Sequence, residues 1–145
     1  MDIQRLNPAG LHETPGYHHV TIAPAERLAF LAGQCPLDAD GNVVGPGDVL
    51  AQVDQVAANA LVALTAAGAS PSTVVRSVVY VVVDDRTPAL GEVWRRFQAS
   101  PIGEAFTTAS TLLGVARLGF TGQLVELDLT AVIPTLPTHP TLPTS

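Results

Sequence analysis

Residues 107–133 read TTASTLLGVARLGFTGQLVELDLTAVI, and the fold turns on how this stretch is paired. Residues 107–116 and 124–133 are rich in β-branched and aliphatic side chains, and Gly119 and Gly122 punctuate the connection between them. The pattern predicts a β-hairpin. In its second arm Glu126, Asp128 and Thr130 alternate with Val125, Leu127, Leu129 and Ala131. Strand side chains have a period of two, so the carboxylates and the threonine share one face and the aliphatics the other. A solvated strand face is the ordinary explanation of such a pattern. Charged residues are only 14% of this chain, against about 25% in typical domains. Two acids on one aliphatic strand therefore mark a candidate polar site.

Working outward, residues 74–83 form a continuous β-branched run, long enough for a strand covered on both faces. Thr87 and Pro88 are a cap and a first-turn proline, predicting a helix through about Gln98 with Leu90, Val93, Trp94 and Phe97 inward. Residues 47–67 are the longest helix candidate. Asp48 caps it, Leu50, Val53, Val56, Ala57, Ala60, Leu61 and Leu64 make one apolar stripe, and Gly68 ends it. Residues 17–23 and 27–34 predict a first hairpin, and residues 1–16, with Pro8, Gly10, Pro15 and Gly16, an irregular lead-in. The expected order is ββ, α, β, α, ββ: an α+β domain over residues 1–133 with a mixed sheet and two helices on one face. Residues 134–145, PTLPTHPTLPTS, read as a disordered or polyproline tail.

Helices on one face leave the other to be covered. Hydrophobic residues make up 47% of the chain and mean hydropathy is +0.32. That apolar surplus points to a subunit interface supplied by identical chains. The formal charge of −6, with seven arginines, no lysine and no basic run, argues against nucleic acid as a partner. No uninterrupted apolar run reaches the roughly 18 residues of a membrane span, and residues 1–16 lack the pattern of a signal peptide, so a cytoplasmic protein with no membrane partner is expected.

Cys35 is the single cysteine, which excludes an intrachain disulfide and a cysteine-based zinc site. Nothing adjacent in sequence would lower its pKa, so it reads as a small apolar residue rather than a nucleophile. Tyr17 and His19 share one face of their strand and His18 takes the other, so neighbouring histidines do not clasp one metal. No metal or other cofactor is expected.

The chain resembles the Rid family, also called YjgF, endoribonuclease L-PSP or reactive-intermediate deaminase A, over about residues 15–132. The resemblance lies in Pro15-Gly16-Tyr17, Ala32-Gly33-Gln34-Cys35-Pro36-Leu37-Asp38, Asp40-Gly41, and Ala66-Ala67-Gly68-Ala69-Ser70. It continues in Val75-Arg76-Ser77-Val78-Val79-Tyr80-Val81, Gly114-Val115-Ala116-Arg117-Leu118 and Leu124-Val125-Glu126-Leu127-Asp128. Each fragment is short; their order and spacing together are specific. The resemblance implies a homotrimer with sheets packed into a central barrel and small-molecule clefts between subunits. It also implies cofactor-free hydrolysis of enamines and imines, such as 2-aminoacrylate, to 2-keto acids and ammonia. Carried over, the family's tyrosine falls on Tyr17, its ligand-binding turn on Ala32, Gly33 and Gln34, and the glutamate beside the attacking water on Glu126. Glu126 on a half-polar face suits that chemistry, because imine hydrolysis needs an acid or base near a positioned water.

The family's substrate-binding arginine is missing. In register its place is taken by Ser110, within Thr108-Ala109-Ser110-Thr111. A serine hydroxyl brings neither charge nor a bidentate fork. A hydrogen bond to a charged group contributes about 1.5–3 kcal/mol, so its loss in the transition state slows the reaction roughly 10- to 150-fold. An asparagine common in the second helix is Gly91 here, and the turn serine is Ala32. The favoured expectation is a diverged cleft in which Tyr17, Gly33, Gln34, Ser110, Thr111 and Glu126 bind a small molecule without an α-carboxylate, with His19 as an extra acid or base. A second reading keeps imine deamination with Arg76 or Arg117 as the anchor. A third is a non-enzymatic trimeric binding or chaperone-like module. The ribonuclease label draws no support from an acidic, lysine-free chain.

Overall fold

The computed structural model describes residues 2–24, 26–84 and 90–135. In chain order the elements are β1 (Gln4–Leu6), β2 (Val20–Ile22), β3 (Leu28–Phe30), α1 (Val49–Ala67), β4 (Val74–Val82), α2 (Leu90–Gln98), β5 (Ala109–Val115) and β6 (Val125–Val132). Short 3-10 turns at Pro71–Thr73 and Gly103–Phe106 lead into β4 and β5. This is the expected α+β class with a mixed sheet and two helices, although strand pairing departs from the sequence reading.

Neither predicted hairpin forms. The main sheet has the order β3-β6-β4-β5, so β4 lies between the strands read as one hairpin. β4 runs parallel to β5, with Ser77 opposite Ser110, and antiparallel to β6, with Tyr80 opposite Glu126. β5 and β6 are therefore antiparallel to each other and joined by a short connection, as in a hairpin, but they are separated by one strand. Adjacent strands lie about 4.8 Å apart, so the connection has to span about 10 Å, only about 5 Å further than in a hairpin. At the N-terminus β2 pairs with β1, and β3 pairs with β6, with Phe30 opposite Thr130. The expected irregular lead-in thus contributes a strand, Gln4–Leu6, whose Arg5 guanidinium donates to the carbonyls of Ser72 and Val74.

The helix expectations hold where the structure describes them. The Asp48 carboxylate accepts from the Ala51 amide at 3.1 Å, and Gly68 closes α1 in the left-handed region at φ 80°. Val53, Val56, Ala60 and Leu64 of α1 and Val93, Trp94 and Phe97 of α2 share one core with Val79, Val81, Leu127 and Leu129 of the sheet. Each such aliphatic side chain contributes about 1.5–3 kcal/mol on burial. By length and composition α1 could cross a membrane; its apolar stripe instead fills this core. The predicted Thr87–Pro88 start of the second helix lies outside the described residues, as does the tail from residue 136.

β4 is not covered on both faces within the chain. Ser77, Val79 and Val81 are buried toward the helices, whereas Arg76 is exposed and Val78 and Tyr80 half-buried on the other side. β6 alternates in the same sense: Val125, Leu127 and Leu129 inward, Glu126, Asp128 and Thr130 outward. Phe30, 75% exposed, extends this open face onto β3.

Gln52, fully buried in α1, ties the helix to the start of β6. Its amide nitrogen donates to the carbonyls of Gly45 and Gly122, and its oxygen accepts from the Leu124 amide at 2.7 Å. These side-chain hydrogen bonds add to the backbone pairing where the chain enters β6, the Val82 amide donating to the Leu124 carbonyl at 2.9 Å.

Candidate functional site

The candidate side chains fall into two groups. One gathers where the chain enters β2. Pro15 and Gly16 turn the backbone, and the Pro15 carbonyl accepts from Gln98 Nε2 at 2.9 Å and from Trp94 Nε1 at 3.4 Å. Gly16 has φ 127°, and a Cβ there would sit 2.4 Å from Gln98 Nε2, so only glycine lets the turn dock on α2. The turn brings Tyr17 edge-on to Trp94, with ring centroids 6.3 Å apart, and to His19 at 5.7 Å. Tyr17 and His19 do share a side, and His18 turns away to contact the Thr107 carbonyl.

His12, absent from the sequence reading, completes this group. Its Nε2 lies within hydrogen-bond distance, 2.9 Å, of the Tyr17 hydroxyl, which can donate to or accept from the imidazole according to its tautomer. His19 Nε2 lies 2.9 Å from the His12 carbonyl, which can only accept. His19 therefore carries a proton on Nε2, and in the neutral ring Nδ1 is the basic nitrogen. The signal was the Pro15-Gly16 turn, which folds the preceding residues back over Tyr17.

The second group lies on the open face of β6. Residues 33–35 run beside it: the Gln34 amide donates to the Leu127 carbonyl at 2.7 Å, and the Leu127 amide donates back at 3.0 Å. Gly33 and Cys35 therefore point to the same side as Glu126. The Cys35 thiol donates to Glu126 Oε1 at 3.0 Å. Burial first, then the hydrogen bond to Glu126 and its negative charge, push the Cys35 thiol up to about 12. Cys35 is thus no nucleophile, as expected, but it is a polar partner rather than an apolar filler. Gln34 folds its side chain onto the Ala32 carbonyl at 2.9 Å. This segment also borders a groove of about 760 Å³ against α1, lined by Cys35, Leu37, Asn59, Val62 and Phe120.

Ser110 and Thr111 face opposite sides of β5. Ser110 points toward the helices, where it accepts from Ser77 Oγ at 2.6 Å and donates to the Thr108 carbonyl at 3.0 Å. Thr111 faces the open side, where its hydroxyl accepts from Arg76 Nη2 at 2.6 Å. Arg76 therefore shares the face that carries Glu126 and Asp128, across from Thr130. Arg117 lies in the β5–β6 connection and lines a separate groove of about 470 Å³ with Phe120 and Gln123.

Within one chain the Tyr17 group and the Glu126 group do not meet. Ser110 and Glu126 point to opposite faces of the sheet with β4 between their strands. No cluster of three or more His, Cys, Asp or Glu side chains among the described residues is arranged to hold a metal ion. Chemically, the first group offers a tyrosine hydroxyl and an imidazole nitrogen, and the second offers a carboxylate with one oxygen already occupied.

The endoribonuclease L-PSP family model matches residues 10–133. Protein DfrA of Myxococcus xanthus is 32% identical over 117 residues, spanning 80% of this chain and 84% of that protein. The solved structure of YyfB from Yersinia pestis, a Rid-family protein of unknown function, is similar at 32% identity and a TM-score of 0.77, covering 91% of this chain and 99% of the other. Rv2704 from Mycobacterium tuberculosis, of the YjgF/YER057c/UK114 family, shares 22% identity with a TM-score of 0.57 over 91% of this chain and 100% of the other, a likeness of fold alone. The chain belongs to the endoribonuclease L-PSP family, also known as the Rid or YjgF family.

Proposed function

We propose that this protein is a Rid-family member whose cleft, completed between identical subunits, binds or hydrolyses a small metabolite other than the usual 2-imino acids. The observation that carries this reading is Ser110. Where deaminases of the family place an arginine, this chain has a hydroxyl already engaged by Ser77 and Thr108. It carries no charge to pair a substrate carboxylate, and its hydrogen bonds are committed inside the sheet. The ligand class that suits the remaining groups is small and polar, lacks an α-carboxylate, and can exchange a proton with Glu126 or His19.

The division of candidate residues into two groups supports self-association, here proposed as a homotrimer. A cleft that used both Tyr17 and Glu126 would draw them from different chains, and the open sheet face with Phe30 exposed is suited to a neighbour. Cofactor-independent chemistry in the cytoplasm, without nucleic acid or membrane as partner, belongs to the same proposal.

A second reading is favoured by one observation. Arg76 puts an exposed guanidinium on the face of Glu126 and Thr111, where it could anchor a carboxylate and preserve imine deamination. One assay separates the two: a pyridoxal-phosphate dehydratase generates 2-aminoacrylate, and keto-acid release is followed with wild type, Ser110→Arg and Arg76→Ala. The main proposal expects wild type at the uncatalysed rate and Ser110→Arg faster. Activity of wild type that is lost in Arg76→Ala would overturn it in favour of the second reading.

A further inference from the structure

We infer that Gly33 and Cys35 form a seat that holds the Glu126 carboxylate by one oxygen and leaves the other to exchange a proton with the ligand. Cys35 is then a positioning residue. This rests on the reading that Glu126 is the acid or base of the cleft, and adds how that group is aimed.

Two contacts meet at Glu126, and a third element holds them in place. Gly33 supplies room: a Cβ at that position would stand 2.9 Å from both the carboxyl carbon and Oε1, closer than real contacts allow, so the carboxylate lies against bare backbone. Cys35 supplies the hold, its thiol donating to Oε1 at 3.0 Å. Asn59 of α1 fixes the thiol's own backbone, donating to the carbonyls of Cys35 and Leu37 at 3.0 and 2.9 Å. Glu126 lies on the open side of the sheet, and among the described residues its Oε2 takes no hydrogen bond. The two oxygens are thereby made inequivalent, one structural and one available.

The thiol suits this task because it stays protonated. With its pKa pushed up to about 12, on the order of one thiol in 10⁵ is ionised at neutral pH. It therefore donates to the carboxylate and never competes with it as a base. The same carboxylate protects the thiol from ionisation and hence from electrophiles. Gly33 and Cys35 must act as a pair, since two-residue spacing along the segment beside β6 puts both on the Glu126 side.

The test has two arms. In the first, which needs no substrate, alkylation of the single cysteine by iodoacetamide is timed at pH 8 in folded wild type and Glu126→Gln, with circular dichroism and Tm confirming that both are folded. Removing the negative charge should speed alkylation at least tenfold. An equal rate in the two proteins, or a wild-type rate matching a free peptide cysteine, would overturn the seat. In the second arm Cys35→Ala and Cys35→Ser are assayed on 2-aminoacrylate in whichever background, wild type or Ser110→Arg, turns it over. Alanine should lower kcat about tenfold with KM little changed, the loss of one hydrogen bond, and serine should restore it to within about twofold. An unchanged kcat in Cys35→Ala would overturn the positioning role. Should neither background act on 2-aminoacrylate, imine hydrolysis by this cleft fails as a reading, and the alkylation arm alone decides the seat.

Discussion

Replacing Gln52 by leucine tests how much the buried amide adds to backbone pairing in holding the entry to β6. The side chain is fully buried and makes three hydrogen bonds, to the carbonyls of Gly45 and Gly122 and from the amide of Leu124. Each contributes about 1 kcal/mol net, so roughly 3 kcal/mol is lost with the amide. Leucine of similar volume returns about 1 kcal/mol through its apolar surface. The expected net destabilisation is about 2 kcal/mol. It should appear in urea unfolding as a lower midpoint with an unchanged slope, since the surface exposed on unfolding stays the same. Leu124 is two residues from Glu126, so the loosened entry should also speed amide exchange at the start of β6 relative to β4. Val62→Thr, at a helix position 70% exposed, is the control and should stay within about 0.5 kcal/mol of wild type. A Gln52→Leu loss below about 0.5 kcal/mol would refute the argument and assign the entry of β6 to backbone pairing alone.

Phe106 is fully buried, edge-on to Trp94 with centroids 5.5 Å apart and tilted against Phe97 at 5.0 Å, so Phe106→Ala should cost about 3–5 kcal/mol in chemical denaturation. Asp48→Ala removes the cap of α1 and should cost about 1 kcal/mol by the same measurement. The Arg96 hydrogen bond and charge hold the Asp54 carboxyl below the usual carboxylate range, the two side chains meeting at 2.6 Å. A depressed folded-state value means stability that is present above the unfolded value of about 3.9 and lost as pH falls through the folded one. The stability gap between wild type and Asp54→Asn should therefore be open at pH 7 and close in acid below about pH 4, remaining small because both groups are half exposed.

What local chemistry dictates was legible in the residues. Asp48 and Gly68 bounded α1, the stripe through Val53, Val56, Ala60 and Leu64 marked its buried side, and the alternation through Glu126, Asp128 and Thr130 marked the open face of β6. The motifs around Gly33, Tyr80 and Arg117 were enough to identify the family. Each of these signals is carried by neighbours within a few positions, where helix and strand periods act.

Partnership between distant segments was decided only in three dimensions. The connection after β5 is compatible with a hairpin, and nothing within it reveals that β4 lies between the two strands; that depends on where the β4 run, more than 40 residues before the end of β6, packs its buried face. His12 joins Tyr17 because the Pro15-Gly16 turn docks on α2, and Cys35 meets Glu126 across 91 positions because residues 33–35 bridge β6. Ser110 and Thr111, neighbours in sequence, part to opposite faces of one sheet. By itself the sequence determined which faces exist and which residues lie on them, because periodicity is local. Which face meets which was left to tertiary packing, because strand order and burial are properties of the whole chain.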